Sequence, residues 1–398
     1  MRDRLSDANF PFSSSGRTYH VSTRSGEVSN RILTCGDPVR ARRIANHLDP
    51  HPQHGQRPFE LSSHRGFLTI TGRYKGVVVS IVAIGMGVAM MDFFIREVRA
   101  VVRGELVIVR LGSCGALAPD IAVGDFAVPK KALQIIRNPN HWHAPPGQRG
   151  KEQAYLLTYP VEGDEELHDK LVESISSYRY QTLRTPSETV QPTDSISTAH
   201  LPTFSTASKD PTSLDPNNAL PFTSDPVDSA RPPQVHSGLT HASADTFYAS
   251  QGRLDSRFPD NNEDLIDTLM KLRPEGTDEG VSTLEMETAH LFDLAAVSIP
   301  SPPRAFAGHS TDQDVVDHIT AQTRQFSLSD DDAKKRGKIR AAAVHIVFAG
   351  RADGSFIDPE TVAHREDLAG RACLETLISV DIPREYLHPD EDSVWNLA

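Results

Sequence analysis

Phe247, Gln251 and Arg253 fall in one short run, Asp245-Thr246-Phe247-Tyr248-Ala249-Ser250-Gln251-Gly252-Arg253. An aromatic face can stack on a pyrimidine, and a carboxamide can both donate to and accept from an imide edge. A guanidinium can donate to a carbonyl oxygen as that oxygen gains negative charge. The three groups together suit a planar imide ring such as uracil. A Phe-x3-Gln-x-Arg spacing arises often by chance, so its weight depends on what else the chain carries.

Arg110 closes an apolar run, Leu106-Val107-Ile108-Val109, and Leu111 and then Gly112-Ser113-Cys114-Gly115 follow it. An arginine there either pairs with a buried carboxylate or meets an anionic ligand. Read as a small-residue loop, residues 112–115 would offer backbone N–H groups and the Ser113 hydroxyl to phosphate oxygens. Gly36-Asp37-Pro38 with Arg40 sets a second guanidinium beside a strand end, although Gly-Asp-Pro is also ordinary turn chemistry. Glu285-Met286-Glu287, expected on a helix over residues 284–296, offers a carboxylate that could accept from vicinal hydroxyls. His141-Trp142-His143 has metal-ligand spacing without a third donor, so a solvent loop is expected and no metal. Cys35, Cys114 and Cys373 lie far apart with no CxxC pair, so neither a disulfide framework nor a cysteine zinc site is expected, and Cys114 reads as packed.

These residues need a scaffold. Residues 31–35 read as a strand running into Gly36, with a helix starting at Arg40. Residues 68–76 read as hairpin-like, leading into a strand at Val77. Residues 76–95 are long and apolar enough to mimic a membrane span, but Gly85 and Gly87 interrupt them. A β-branched run precedes those glycines; Phe94, Ile95, Val98 and Val101 recur at helical spacing after them, so strand, turn, helix is expected. Further strands are expected over 106–111, 123–128 and 339–349, a core element over 238–247, and helices over 164–177 and 367–378. Strands alternating with helices predict one α/β domain with a mixed central sheet. Two polar insertions, at about 178–236 and 298–338, have too few large apolar residues to offset the entropy of ordering and are expected to be flexible.

The formal net charge of -12 argues against a nucleic-acid footprint or an anionic membrane surface. The polar N-terminus has no secretion signal, so a cytoplasmic location is expected.

Gly36-Asp37-Pro38-x-Arg40, Ser63-His64-Arg65, Gly85-x-Gly87, Arg110-x-Gly112-Ser113-x-Gly115, Val123-Gly124-Asp125 and Glu285-Met286-Glu287 occur in the order found in the nucleoside phosphorylase superfamily, which the chain resembles. Phe247-x3-Gln251-x-Arg253 looks like its uridine phosphorylase branch. The resemblance covers about residues 17–138, 238–294 and 339–380 and leaves out the two polar stretches. It implies that Gly36, Arg40, Arg110 and Ser113 bind phosphate, with Arg65 completing the pocket from a neighbouring subunit. His20 would cross the same interface toward the ribose, Met286 and Glu287 would hold the ribose, and Phe247, Gln251 and Arg253 the base. Arg351 matches an arginine of the base-side loop.

Gly66 stands where bacterial members have a glutamate that helps bind a monovalent cation, and Met86 and Met90 occupy the neighbouring positions of that site, so no such cation is expected. The implied reaction is reversible phosphorolysis of uridine by a homodimer or trimer of dimers, with inorganic phosphate as co-substrate and no cofactor. Catalysis would fall to Arg110, Gln251 and Arg253 by positioning and electrostatics. The alternatives are a purine phosphorylase or nucleosidase of the same fold, and a non-catalytic nucleoside-binding protein.

Overall fold

A computed structural model describes residues 5–50, 58–148, 150–182, 232–273, 280–298 and 337–396. The strands are β1 (Leu5–Ser6), β2 (Phe12–Ser13), β3 (Arg31–Cys35), β4 (Phe59–Ser62), β5 (Leu68–Tyr74), β6 (Val77–Ala83), β7 (Leu106–Ala116), β8 (Phe126–Arg137), β9 (Tyr155–Leu157), β10 (Val161–Glu162), β11 (Val235–Ala244), β12 (Val281–Glu285) and β13 (Ile339–Gly350). The helices are α1 (Pro38–Ala45), α2 (Val88–Val101), α3 (Pro139–His143), α4 (Glu165–Thr182), α5 (Leu265–Lys271), α6 (Thr288–Val297) and α7 (Pro359–Ser379). Most of the two polar insertions lies outside the described residues.

Eleven strands form one mixed sheet in the order β10-β8-β11-β12-β7-β3-β6-β5-β4, with β9 added at β8 and β13 at β7 and β8. The parallel pairs are β3 with β6 and β7, β11 with β8 and β12, and β13 with β7. β13 also pairs antiparallel with β8, and β12 antiparallel with β7, so β7, β13, β8, β11 and β12 close into a ring. Helices α1, α4 and α7 pack Ile44, Leu171 and Leu374 on one face. Helices α2 and α6 pack Phe94 and Phe292 on the other. The predicted α/β architecture with a mixed central sheet is the one found.

The apolar stretch at 76–95 divides as expected. Its β-branched half is β6, and α2 begins after Gly85 (φ 78°) and Gly87 (φ 97°), angles that few side-chain-bearing residues tolerate. Among the described residues no helix is long and apolar enough to cross a membrane.

Three local expectations fail. Residues 112–115 are not a loop: β7 runs on to Ala116 because β13 pairs with it along its length, and β12 joins it at Gly115 and Ala116. Glu285 and Glu287 are not helical: Glu285 ends β12, Met286 and Glu287 form the turn, and α6 starts only at Thr288. Parallel pairing with β11 fixes residues 281–285 as strand and overrides the helical spacing of the apolar residues. The expected loop at residues 141–143 belongs to the short helix α3, where His141 Nδ1 lies 2.7 Å from the Glu152 carbonyl and Nε2 lies 2.8 Å from Asn261.

Candidate active site

Arg110 is the centre of the first cluster. Its guanidinium is 4% exposed; Nη2 donates to Glu287 Oε2, and Nε lies 3.4 Å from Glu285 Oε2. Neither Nε nor Nη1 has a hydrogen-bond partner among the described residues. Buried donors without acceptors are costly, so a site that holds two of them suits an acceptor-rich ligand. Glu287 Oε1 accepts from the Gly87 N–H at the start of α2. Burial first, and the nearby Glu285 charge, push the Glu287 carboxyl up to about 7 although Arg110 pulls it down. Glu285 behaves oppositely. Burial works against its charge, but the His241 imidazole and Arg110 hold it well below the usual carboxylate range. Glu285 also accepts from Ser243 Oγ at 2.5 Å, Glu287 N at 2.9 Å and Thr288 N at 3.0 Å.

Gly36 and Arg40 border this cluster. Asp37 caps α1 by accepting from the N–H groups of Val39 and Arg40, so the Gly-Asp-Pro turn is first a helix start. A side chain at Gly36 would come within 3.0 Å of the Gly85 carbonyl, so glycine there lets the two turns meet. Arg40 is buried; Nε donates to Glu366 on α7 at 2.7 Å and Nη1 to the Leu111 carbonyl at 3.3 Å. Arg43 also binds Glu366. Ser113 is half-buried on β7. Cys114 is buried, and burial raises its thiol well above the ordinary range, which fits packing and not nucleophilic chemistry.

The second cluster contains the base-type residues. Arg253 lies over the Phe247 ring at 4.0 Å; Nη2 donates to Gln251 Oε1 at 3.3 Å and Nε to the Phe247 carbonyl at 3.2 Å. Arg351, after β13, donates to the Gln251 carbonyl at 2.9 Å, and its stem lies 3.2 Å from where a Gly115 side chain would start. Gln251 is buried whereas Phe247 is 43% exposed. Among the described residues neither Arg253 nor Arg351 has a carboxylate partner. Burial lowers the proton affinity of both arginines, and Arg253 adds to the effect on Arg351.

Arg65 and His20 stand apart from both clusters. Arg65 is exposed and donates to the Tyr19 hydroxyl at 2.6 Å. His20 lies 2.7 Å from Glu97 on α2 and stacks on Phe93 at 3.7 Å. Among the described residues no hydrogen bond or ion pair joins either residue to Arg110 or Glu287.

The family model described as "Phosphorylase superfamily" matches residues 30–298. The chain belongs to the phosphorylase superfamily. It is 26% identical over 300 residues to uridine phosphorylase of Thermococcus kodakarensis, covering 75% of this chain and 78% of that protein. A DeoD-type purine nucleoside phosphorylase of Geobacillus kaustophilus is 34% identical over 113 residues, which is 28% of this chain and 45% of that one. Among solved structures, a chain from a study of two uridine phosphorylases of the oomycete Phytophthora capsici matches with a TM-score of 0.69 at 29% identity. That match covers 95% of this chain and 100% of the other. A Trypanosoma brucei nucleoside phosphorylase shares the fold, with a TM-score of 0.59 at 18% identity over 93% of this chain and 100% of that one.

Four participants escaped sequence reasoning. Glu366, the partner of Arg40, sits within an ordinary helical pattern. His241 and His345 each interrupt an apolar strand without a motif. The Gly87 N–H, which binds Glu287, is a backbone group and has no side-chain signature. Glu285 had a signal through its place in Glu285-Met286-Glu287, and Gly87 only as part of Gly85-x-Gly87.

Proposed function

We propose that this phosphorylase catalyses reversible phosphorolysis of uridine, using inorganic phosphate as co-substrate and no organic cofactor. The observation that carries the reading is the pair Arg253 and Arg351, which converge on Gln251 beside Phe247 without a carboxylate partner among the described residues. Two partly buried cations beside an amide suit a ring that leaves as an imide anion. Purine binding in this fold would favour a carboxylic acid beside the base. Similarity to the Thermococcus and Phytophthora proteins supports the same choice.

Phosphate would approach the sugar between Arg110, Arg40, Gly36 and Ser113, with the unpartnered Arg110 Nη1 donating to it through its two N–H bonds. Glu287 would accept from the ribose hydroxyls with Met286 against the sugar. A phosphate oxygen bonds to C1′ as the C1′–N1 bond breaks. The bonding pair passes into the uracil ring, where Gln251 and Arg253 stabilise the charge until N1 is protonated. The catalytic gain comes from orientation and from charges already in place in a partly dry site. Arg65 and His20, held at the surface by Tyr19 and Glu97, would serve a neighbouring subunit's site, so the working form would be a homodimer or a larger assembly of dimers.

The test is uracil release from uridine with and without phosphate, with inosine alongside. Phosphate-dependent uracil release supports the reading. Cleavage of inosine in preference to uridine would reassign the base pocket to purines, the activity named for the DeoD-type relatives. Uridine binding without turnover would make the chain a nucleoside-binding protein.

A further inference from the structure

The closed ring of β7, β13, β8, β11 and β12 has polar side chains inside it. His241 on β11 and His345 on β13 stack with ring centroids 4.6 Å apart and planes within 7° of parallel. Their strands do not pair with each other, so the contact crosses the interior of the ring. Both side chains are 0% exposed. His345 lies in register with Gly112 of β7, two residues past Arg110. A methyl group at position 112 would come within 2.4 Å of His345 Nδ1 and 3.6 Å of Arg110 Nε. Gly112 is therefore a notch that the imidazole fills, with Arg110 Nε at its edge. The other ring nitrogen, Nε2, lies 3.0 Å from Thr288 Oγ1, and the Thr288 N–H donates to Glu285. His241 lies 2.6 Å from Thr283 Oγ1 through Nδ1 and 3.2 Å from Glu285 through Nε2.

We propose that His345, seated in the Gly112 notch and backed by His241, is a positioning residue that aims the Arg110 guanidinium at its anion. The proposal rests on the reading of Arg110 as a phosphate ligand. His345 touches no reacting atom. It restricts the arginine side chain to one rotamer by occupying the volume into which that chain would otherwise relax, and Thr288 keeps the imidazole upright. Burial, His241 and the positive charges of Arg110 and Arg40 keep His345 unprotonated, so it adds bulk and polarity without a third cation.

His241, Glu285 and His345 also bring one donor atom each within 4.8 Å of one another, a spacing that a metal ion could bridge. A divalent cation there would lie beside the Arg110 guanidinium, and Glu285 already accepts from Ser243 and two backbone N–H groups. The charge balance favours the positioning role.

The test compares His345→Leu, His345→Gln, Gly112→Ala and the double variant Gly112→Ala/His345→Leu with the parent in the full-length protein. Uracil release is read as a function of phosphate and of uridine, and the phosphate-induced rise in melting temperature is read separately. His345→Leu is expected to raise the half-saturating phosphate concentration about tenfold with uridine KM changed less than about twofold, and to shrink the thermal shift. His345→Gln, which can still meet Thr288, should recover part of both. Gly112→Ala, which evicts the ring, should match His345→Leu, and the double variant should be no worse than either single one.

Phosphate saturation and thermal shift unchanged within twofold in His345→Leu would overturn the proposal. So would an equivalent of metal in the purified protein that His345→Leu loses. If the parent shows no turnover, the proposed reaction fails, while the phosphate-induced thermal shift still decides the role of His345.

Discussion

Replacing Arg110 by methionine removes the group on which both halves of the proposed chemistry depend. Its Nη1 has no hydrogen-bond partner among the described residues, and the two N–H bonds of that nitrogen would donate to phosphate. Hydrogen bonds to charged groups contribute about 1.5–3 kcal/mol each, so losing two costs about 3–6 kcal/mol of transition-state stabilisation. At about 1.4 kcal/mol per decade, kcat/KM for phosphate should fall between about 10²- and 10⁴-fold. Stability changes by a different amount. Removing one partner of a buried ion pair typically costs about 3–5 kcal/mol, because the other charge stays behind. Here that charge is Glu287, already pushed up to about 7 by burial and Glu285, and without Arg110 it takes up a proton at neutral pH. The loss should therefore lie at the low end, near about 3 kcal/mol. Uracil release over a range of phosphate concentrations, with thermal unfolding of the same samples, separates the two effects. A folded Arg110→Met protein that keeps kcat/KM for phosphate within tenfold of the parent would refute the reasoning.

Arg253→Ala should lower kcat for uridine by about 10²-fold with a smaller change in phosphate dependence, since in the proposed pocket it would face the leaving base and not the anion; equal losses on both substrates would contradict that assignment. Glu287 should produce an acid limb: as pH falls through about 7 its carboxylate is protonated and would no longer accept from ribose as proposed. Phosphate titrates in the same range, so the check is Glu287→Gln, which should lower the plateau and leave only the phosphate limb in kcat/KM for uridine. His388 is held down to about 4, first by burial and then by Arg103 and Arg99, and its Nδ1 accepts from the Arg103 N–H. The unfolded chain takes up this proton below about 6.5 while the native one does not, so stability present above 6.5 is lost as pH falls toward 4. The full change is about 3 kcal/mol, and denaturant midpoints at pH 7.5 and pH 5 should show a shallower fall for His388→Gln than for the parent.

The sequence by itself determined the class of fold and the kinds of chemistry available. β-Branched runs such as Val77–Ala83 have nowhere to go but a buried strand, and the glycines at 85 and 87 must break the apolar stretch wherever it sits. Phe247, Gln251 and Arg253 are close in the chain, so a short turn brings them together with little help from the rest of the molecule. Tertiary structure decided the rest, because the deciding partners are remote in sequence. Residues 112–115 look like a loop until β13, more than two hundred residues later, supplies a ladder for them and His345 fills the space that Gly112 leaves. Glu285 and Glu287 look like one helical face until β11 holds the first in a strand and Arg110 draws in the second. Their opposite charge behaviour has the same origin. Two identical side chains two residues apart diverge because one meets imidazoles, a hydroxyl and backbone donors while the other meets one arginine and one N–H, and neither set of neighbours is local.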